Sequence, residues 1–179
     1  MRAVTMPQAL SDDARTALVV ELYETYYSPL FAYVYQLVGD AEGAHDLVQE
    51  TFLRLYRERA KLDAVENRRA WVYRIASNVT FTALRRRGRR SWLPWRKAEE
   101  MVPVAPDPTA AAGERQMALE RALAALPAHY RAPLLLYSYF GLSVREVAAA
   151  LEMSETAVTT RLYRARKMFR EAYEEGNGR

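Results

Sequence analysis

The sequence predicts an all-α protein made of two small helical domains joined by a Pro-rich linker, with a helix-turn-helix in the C-terminal domain. Apolar residues recur at spacings of three and four, and the alternation typical of strands is sustained nowhere in the 179 residues. Between residues 88 and 113 this periodicity gives way to four prolines and scattered alanines, which indicates an extended, semi-rigid linker. The predicted parts are an N-terminal tail at 1–17, a helical domain at 18–90, a linker at 91–113 and a second helical domain at 114–175.

The first apolar stripe of the N-terminal domain predicts either two helices or one kinked helix. It begins near Leu18 and is interrupted at Ser28–Pro29, where the serine suits an N-cap and the proline suits the first position of a helix. Gly39 is expected to end this region, and Asp40 to cap a second helix that runs to about Arg59.

A third helix is expected to begin after Asn67, whose side chain suits an N-cap, and to end near Arg90. Its buried face is predicted to carry Trp71, Ile75, Val79 and Leu84, which follow a helical spacing.

The C-terminal domain is predicted to start with a pair of helices. One runs from Glu114 to Leu126, Pro127 breaks the pattern, and a second continues to Phe140 before Gly141 ends it.

A helix-turn-helix is predicted next. Ser143 and Glu146 have the spacing of a capping box, which opens a short helix containing the small Ala148. Ser154 is expected to cap a longer helix after a three-residue turn. The alternative is an αα-hairpin with a solvated basic face. The outer face of the longer helix carries Glu155, Thr156, Thr159, Thr160, Arg161, Arg164, Arg166 and Lys167.

The composition argues against several classes of function. The chain has no cysteine and only two histidines, His45 and His129, so disulfides, thiolate chemistry and a histidine-rich metal site are not expected. No nucleophile with an adjacent base and no Gly-rich phosphate loop is found, so neither an enzyme nor a cofactor is expected. No apolar run approaches a membrane span and no export signal is recognisable, which predicts a soluble, cytoplasmic protein.

Charge is segregated along the chain. Residues 21–60 hold seven acids and three arginines, a net charge of −4. Residues 61–97 hold eleven basic residues and two acids, a net charge of +9. This separation favours one surface for a protein partner and another for a polyanion.

The C-terminal motif resembles a known family. The stretch Tyr139–Ala148 followed by Ser154–Lys167 is similar to region four of the sigma-70 family, in particular its extracytoplasmic-function group. The resemblance implies that this helix reads the minus-35 promoter element. One departure is Glu152, which stands at a turn position where the family often has glycine. The implied minus-35 residues are Ser154, Glu155, Thr156, Thr159, Thr160, Arg161, Arg164 and Lys167.

Region two of the same family resembles two N-terminal segments. Asp46–Phe52 is similar to the helix that docks on the clamp coiled coil of core RNA polymerase, and the implied polymerase-binding residues are Asp46, Gln49, Glu50 and Leu53. Asp46, Gln49 and Glu50 share one helix face, although an acidic face is usually only solvated.

Asn67–Asn78 resembles the segment that opens and reads the minus-10 element. Such reading needs cations, polar groups and aromatic surfaces. The implied residues are Lys61, Asn67, Arg68, Tyr73, Arg74, Asn78, Arg85, Arg86 and Arg87. Tyr73 fits the core and a base-stacking role equally well, whereas Trp71 fits the core. The arginines suit phosphate contacts, and some also suit the dipole at a helix C-terminus.

The resemblance implies a sigma factor with core RNA polymerase as its partner, at the clamp coiled coil and the flap, and with promoter DNA as its target. It also implies an anti-sigma factor as inhibitor. Trp92, Leu93 and Trp95 in the linker suit either the polymerase or the chain's own domains. The alternative class is an autonomous repressor or activator, which would not need the basic, aromatic-bearing helix of the N-terminal domain.

Overall fold

The computed structural model describes residues 10–90 and 110–177, and all regular structure within them is helical. The all-α prediction is confirmed. The helices are α1 (Asp12–Val38), α2 (Ala41–Arg57), α3 (Arg68–Arg90), α4 (Ala110–Ala125), α5 (Ala128–Leu134), α6 (Val144–Leu151) and α7 (Glu155–Asn177), with a 3-10 helix at Arg59–Ala64 and a π-helical turn at Leu135–Tyr139. In the described ranges, no helix is both long enough and apolar enough to span a membrane.

Helix α1 continues through Pro29 as a single helix, so the alternative of two helices is not the one that forms. A proline inside a helix costs about 3 kcal/mol because it removes a hydrogen bond and crowds the preceding turn. The residues after it include Leu30, Tyr33 and Val34, which have no exposed surface, and this burial offsets the cost. Gly39 ends the helix as predicted, in the left-handed conformation at φ 69°, and donates its N–H to the Tyr35 carbonyl.

The capping residues predicted for α2 and α3 are confirmed. The Asp40 carboxylate accepts from the Gly43 amide at 3.1 Å, and the Asn67 side-chain oxygen accepts from the Ala70 amide at 2.9 Å. Helix α2 ends at Arg57, slightly before the predicted end, because the chain tightens into the 3-10 helix that buries Leu62.

Helix α4 begins at Ala110, four residues before the predicted start, and Pro127 separates it from α5 as expected. Residues 91–109, which contain most of the predicted linker with Trp92, Leu93 and Trp95, lie outside the described part of the chain. Gly141 has φ 66° and ends the α5 region where the sequence predicted.

The apolar core is continuous from the N-terminal helices into the C-terminal ones. Val48 and Leu55 of α2 and Trp71 of α3 belong to one buried cluster, which also includes Leu136 and Val147 from the C-terminal half. On α3, Trp71, Ile75 and Val79 are buried as predicted, while Leu84 is partly buried. The C-terminal helices therefore pack directly against α1 and α3.

Candidate interfaces for nucleic acid and a protein partner

The helix-turn-helix forms as the capping pattern predicted. Ser143 Oγ accepts from the Glu146 amide at 3.2 Å, and the Glu146 carboxylate accepts from the Ser143 amide at 2.8 Å. Val147, Ala148 and Ala150 form the buried side of α6. The turn to α7 passes through Glu152, which has φ 52° and ψ 50°. A non-glycine residue in this left-handed region is strained, as the missing glycine indicated.

Helix α7 presents a polar surface beginning at its N-terminus. Ser154 caps the helix by accepting from the Ala157 amide at 3.2 Å. Thr156, Thr159 and Thr160 are exposed, and the hydroxyls of the last two donate to main-chain carbonyls one turn earlier, at 2.9 Å each. Their hydroxyl donors are therefore used, and each threonine offers an acceptor and a methyl group to a ligand. Glu155 is exposed beside them.

Cations follow further along α7. Arg164 and Lys167 are exposed and Arg161 is partly buried, while Lys167 lies 3.9 Å from Glu171. Such an exposed pair contributes little and leaves the ammonium free to contact a phosphate. Val158, Leu162 and Ala165 form the buried side of the helix, so the basic side faces solvent.

Sequence reasoning missed Tyr163, which is 73% exposed on α7. It follows Thr159 by four residues and Thr160 by three, so it lies on the same outer face. That spacing was the available signal. Arg166 was assigned only to the basic face, but its guanidinium carbon lies 5.3 Å from the centre of the Tyr137 ring.

The acidic face of α2, defined by Asp46, Gln49, Glu50 and Leu53 and called the docking face below, points outward. Asp46, Gln49 and Leu53 are exposed, and Glu50 is partly buried and paired with Arg54 at 2.7 Å. Leu53 is 51% exposed and so adds an apolar group to this face. Tyr56, one turn further, is also exposed and was missed by the sequence reasoning.

The predicted minus-10 residues of α3 are divided between solvent and the interface with the C-terminal helices. Arg68 is exposed and Arg74 is partly buried. Tyr73 is only 1% exposed, and its burial raises the pKa of the phenol well above its usual value. Asn67 and Asn78 are exposed; the Asn67 amide donates to Glu146 of α6, and the Asn78 amide donates to Glu152 in the turn that follows α6.

The remaining predicted cations lie at the two ends of this surface. Lys61 pairs with Glu58 at 2.8 Å in the 3-10 helix. At the other end, Arg85, Arg86 and Arg87 are exposed, and Arg87 reaches the α2 cap Asp40 at 3.3 Å. The arrangement is basic and accessible at both ends of α3. No group of His, Cys, Asp and Glu suited to a metal occurs in the described residues.

The fold and these surfaces define a helical protein of the helix-turn-helix class with a second basic helix in its N-terminal half. Comparison with known proteins identifies the family. Residues 22–90 match the family model for sigma-70 region 2, and residues 116–169 match the model for sigma-70 region 4.

Relatives of this chain are sigma factors. The ECF RNA polymerase sigma factor SigL of Mycobacterium tuberculosis is 32% identical over 160 residues, which cover 88% of this chain and 89% of that protein. The ECF RNA polymerase sigma factor SigE of Mycolicibacterium smegmatis is 30% identical over 171 residues, which cover 91% of this chain and 64% of that protein. The chain thus spans less than two thirds of the length of SigE.

A solved structure shares the fold. In the complex of the sigma factor RpoE with the anti-sigma factor NepR from Bartonella quintana, one chain matches with a TM-score of 0.67 and 24% identity, covering 89% of this chain and 98% of that chain. The chain belongs to the sigma-70 family of RNA polymerase sigma factors, in its extracytoplasmic-function group.

Proposed function

We propose that this protein binds core RNA polymerase, recognises the minus-35 and minus-10 promoter elements, helps to open the DNA and so initiates transcription. The main observation in support of this proposal is that the chain has two basic helices, one in the helix-turn-helix and one in the region that matches sigma-70 region 2. Helix α7 presents exposed threonines and arginines on a helix-turn-helix, and α3 adds a basic helix within the region 2 match. An autonomous repressor or activator has no need of the second helix.

The docking face is proposed to bind the clamp coiled coil of the polymerase. Asp46, Gln49 and Leu53 project from one side of α2 over two turns, so a partner helix meets acidic, hydrogen-bonding and apolar groups together. An arginine-bearing helix suits this combination. The C-terminal domain is proposed to contact the flap.

The minus-35 element is proposed to be read by the N-terminal half of α7. Ser154, Glu155, Thr156, Thr159 and Thr160 lie where a recognition helix enters the major groove, and threonine offers both an acceptor and a methyl contact for thymine. Arg161, Arg164 and Lys167 are proposed to hold phosphates, which positions the helix without reading sequence.

The minus-10 element is proposed to be opened and read by α3 and its flanks. The set comprises Lys61, Asn67, Arg68, Tyr73, Arg74, Asn78, Arg85, Arg86 and Arg87. Its amides can hydrogen-bond to an extruded base, and its cations can follow the backbone of a melted strand.

Control by an anti-sigma factor is part of the proposal, because the structurally similar RpoE was solved with the anti-sigma factor NepR. The relatives are transcription factors and not enzymes, and we propose the same for this chain. A cytoplasmic location follows from the proposed polymerase partner.

Reconstitution with purified core polymerase tests the function. Core polymerase with this protein is expected to give promoter-dependent run-off transcripts and core alone none. The double change Asp46→Arg and Glu50→Arg reverses two charges on the docking face and is expected to weaken core binding by at least about tenfold. Glu174→Arg is the control, because Glu174 is exposed on the distant end of α7. Absence of recruitment by the parent protein would refute the sigma-factor function, and duplex binding without polymerase-dependent transcription would identify a repressor or activator instead.

A further inference from the structure

Helix α6 lies across the part of α3 that the proposed function assigns to the minus-10 strand. Asn67 Nδ2 donates to Glu146 Oε1 at 3.0 Å, and Asn78 Nδ2 donates to Glu152 Oε2 at 3.2 Å. The two asparagines are eleven residues apart, which corresponds to about 16 Å along a helix. The contact therefore extends over about three turns of α3.

In these two contacts the carboxylates take the place that oxygen acceptors of a nucleic acid would occupy. In a strand complex the Asn67 and Asn78 amides would donate to base or phosphate oxygens. In this structure two carboxylates, Glu146 and Glu152, accept those hydrogen bonds. Carboxylates are anionic oxygen acceptors as phosphates are, so they compete for the same donors. The Asn67 contact also lowers the pKa of Glu146, because the hydrogen bond stabilises the ionised carboxylate.

An aromatic contact lies between these two polar ones. The Phe140 ring lies 5.6 Å from the ring of Tyr73 and 5.9 Å from that of Tyr33, measured between centroids. Arg69 donates to the Phe140 carbonyl and fixes the loop over α3. Tyr73 is only 1% exposed and its ring contacts Phe140 as well as Tyr26 and Tyr33 of α1, so it is not available to stack on a base in this arrangement.

A further contact joins the two halves through Arg131. All four hydrogen bonds of its guanidinium go to main-chain carbonyls: Gln36 at 2.5 Å, Ala124 at 2.8 Å, and Leu126 at 2.7 and 3.2 Å. Gln36 lies in the last turn of α1, and Ala124 in the last turn of α4. The cation therefore satisfies carbonyls that have no partner within their own helices and lies where both helix dipoles favour positive charge.

We propose that the protein on its own adopts this closed form, in which Glu146 and Glu152 occupy the amides of Asn67 and Asn78 and Phe140 packs on the Tyr73 ring, while the minus-35 surface of α7 stays exposed. This inference rests on the proposed function of α3. In the closed form the protein binds duplex DNA through α7 but does not bind a melted strand. Productive binding to polymerase requires that α6 leaves α3.

The test uses the full chain with Glu146→Gln and Glu152→Gly. Glutamine keeps the capping box, since it also serves at that position, and glycine suits the left-handed backbone at φ 52°. Neither residue belongs to the proposed polymerase or DNA surfaces. The matched control is Glu174→Gln with Glu175→Gln, which makes the same change in net charge on exposed side chains.

The closed form is measured first by distance. Because the sequence has no cysteine, spin labels at Glu24→Cys and Arg170→Cys on exposed positions report one defined pair. A narrow distance distribution is expected for the parent and the control, and a broader, longer one for the variant. A broad distribution in the parent would overturn the closed form, and an equally narrow one in the variant would overturn the role of the two glutamates.

Binding is measured next, by fluorescence anisotropy of a labelled random-sequence single strand and of the corresponding duplex. The variant is expected to bind the single strand at least about tenfold more tightly than the parent and the charge-matched control, whereas duplex binding is equal in all three. A parent that binds the single strand as tightly as the variant would overturn self-occlusion. Transcription distinguishes failure of the proposed function from failure of this inference. If the parent shows the narrow distance distribution but gives no transcripts with core polymerase, the proposed function is refuted and the closed form is not.

Discussion

Replacing Arg131 with methionine removes a buried cation and keeps an unbranched side chain, and the effect of this substitution on stability can be estimated from the structure. Arg131 is 7% exposed, and burial lowers the pKa of its guanidinium to about 10, so it remains charged at neutral pH. A shift from 12.5 to about 10 corresponds to a burial cost of about 3 kcal/mol. Hydrogen bonds to a charged group contribute about 1.5–3 kcal/mol each, and three carbonyls receive them, which gives about 5–9 kcal/mol.

The difference is about 2–6 kcal/mol. Because the methionine side chain keeps part of the packing, we expect Arg131→Met to lower the free energy of unfolding by about 2–4 kcal/mol. For a chain of this size the midpoint of thermal unfolding should fall by about 5–12 °C, measured by circular dichroism. Arg131→Lys keeps the charge, but the lysine cannot donate to all three carbonyls, so its unfolding midpoint should lie between those of the parent and of Arg131→Met. Arg145→Met, at an exposed arginine, serves as the control. An Arg131→Met protein as stable as the parent would show that the carbonyl contacts of Arg131 do not stabilise the fold.

Three further predictions concern the C-terminal half and its contacts. Glu152→Gly and Glu152→Ala both lose the Asn78 contact, but only glycine relieves the left-handed backbone at φ 52°, so the free energy of unfolding in urea should be about 1 kcal/mol higher for the glycine variant than for the alanine variant. Arg164→Ala should weaken binding to all duplexes similarly and reduce the slope of log binding constant against log salt concentration by about one. Thr159→Ala should instead change the sequence preference. If both variants lose the same affinity on every sequence, other residues read the bases. The pKa of Glu146 is lowered, first by the hydrogen bond from Asn67, so its contribution to stability is present above the usual carboxyl pKa and lost as the pH falls through the lower folded value. Urea unfolding across acidic pH should show this loss in the parent and a smaller one in Glu146→Gln; identical profiles would contradict it.

The helix boundaries that could be predicted from the sequence are those set by local chemistry. Asp40, Asn67 and Ser143 cap their helices with hydrogen bonds to residues three positions away, so a window of four residues contains the whole signal. Gly39 and Gly141 end helices because their positive φ suits glycine. The continuity of α1 through Pro29 could not be predicted, because it depends on core packing from distant residues.

In the candidate sites, too, the features set by local sequence could be predicted and those set by distant contacts could not. The exposed positions of α7 follow from helical spacing, and the docking face follows from the same rule on α2. The Tyr73 ring contacts Phe140, sixty-seven positions later in the chain, and Arg131 donates to the distant Gln36 carbonyl. Such contacts join residues that carry no shared local pattern. The minus-10 assignments therefore stay predictions, with their accessibility governed by the association of α3 and α6.

The carbonyl partners of Arg131 have a consequence for how the closed form responds to acid. Main-chain oxygens do not titrate, and the arginine stays protonated, so this contact is unchanged on acidification. The Asn67–Glu146 contact weakens as the Glu146 carboxyl gains a proton. Acid should therefore weaken the contact between α3 and α6 while the hydrogen bonds of Arg131 still hold the two halves together.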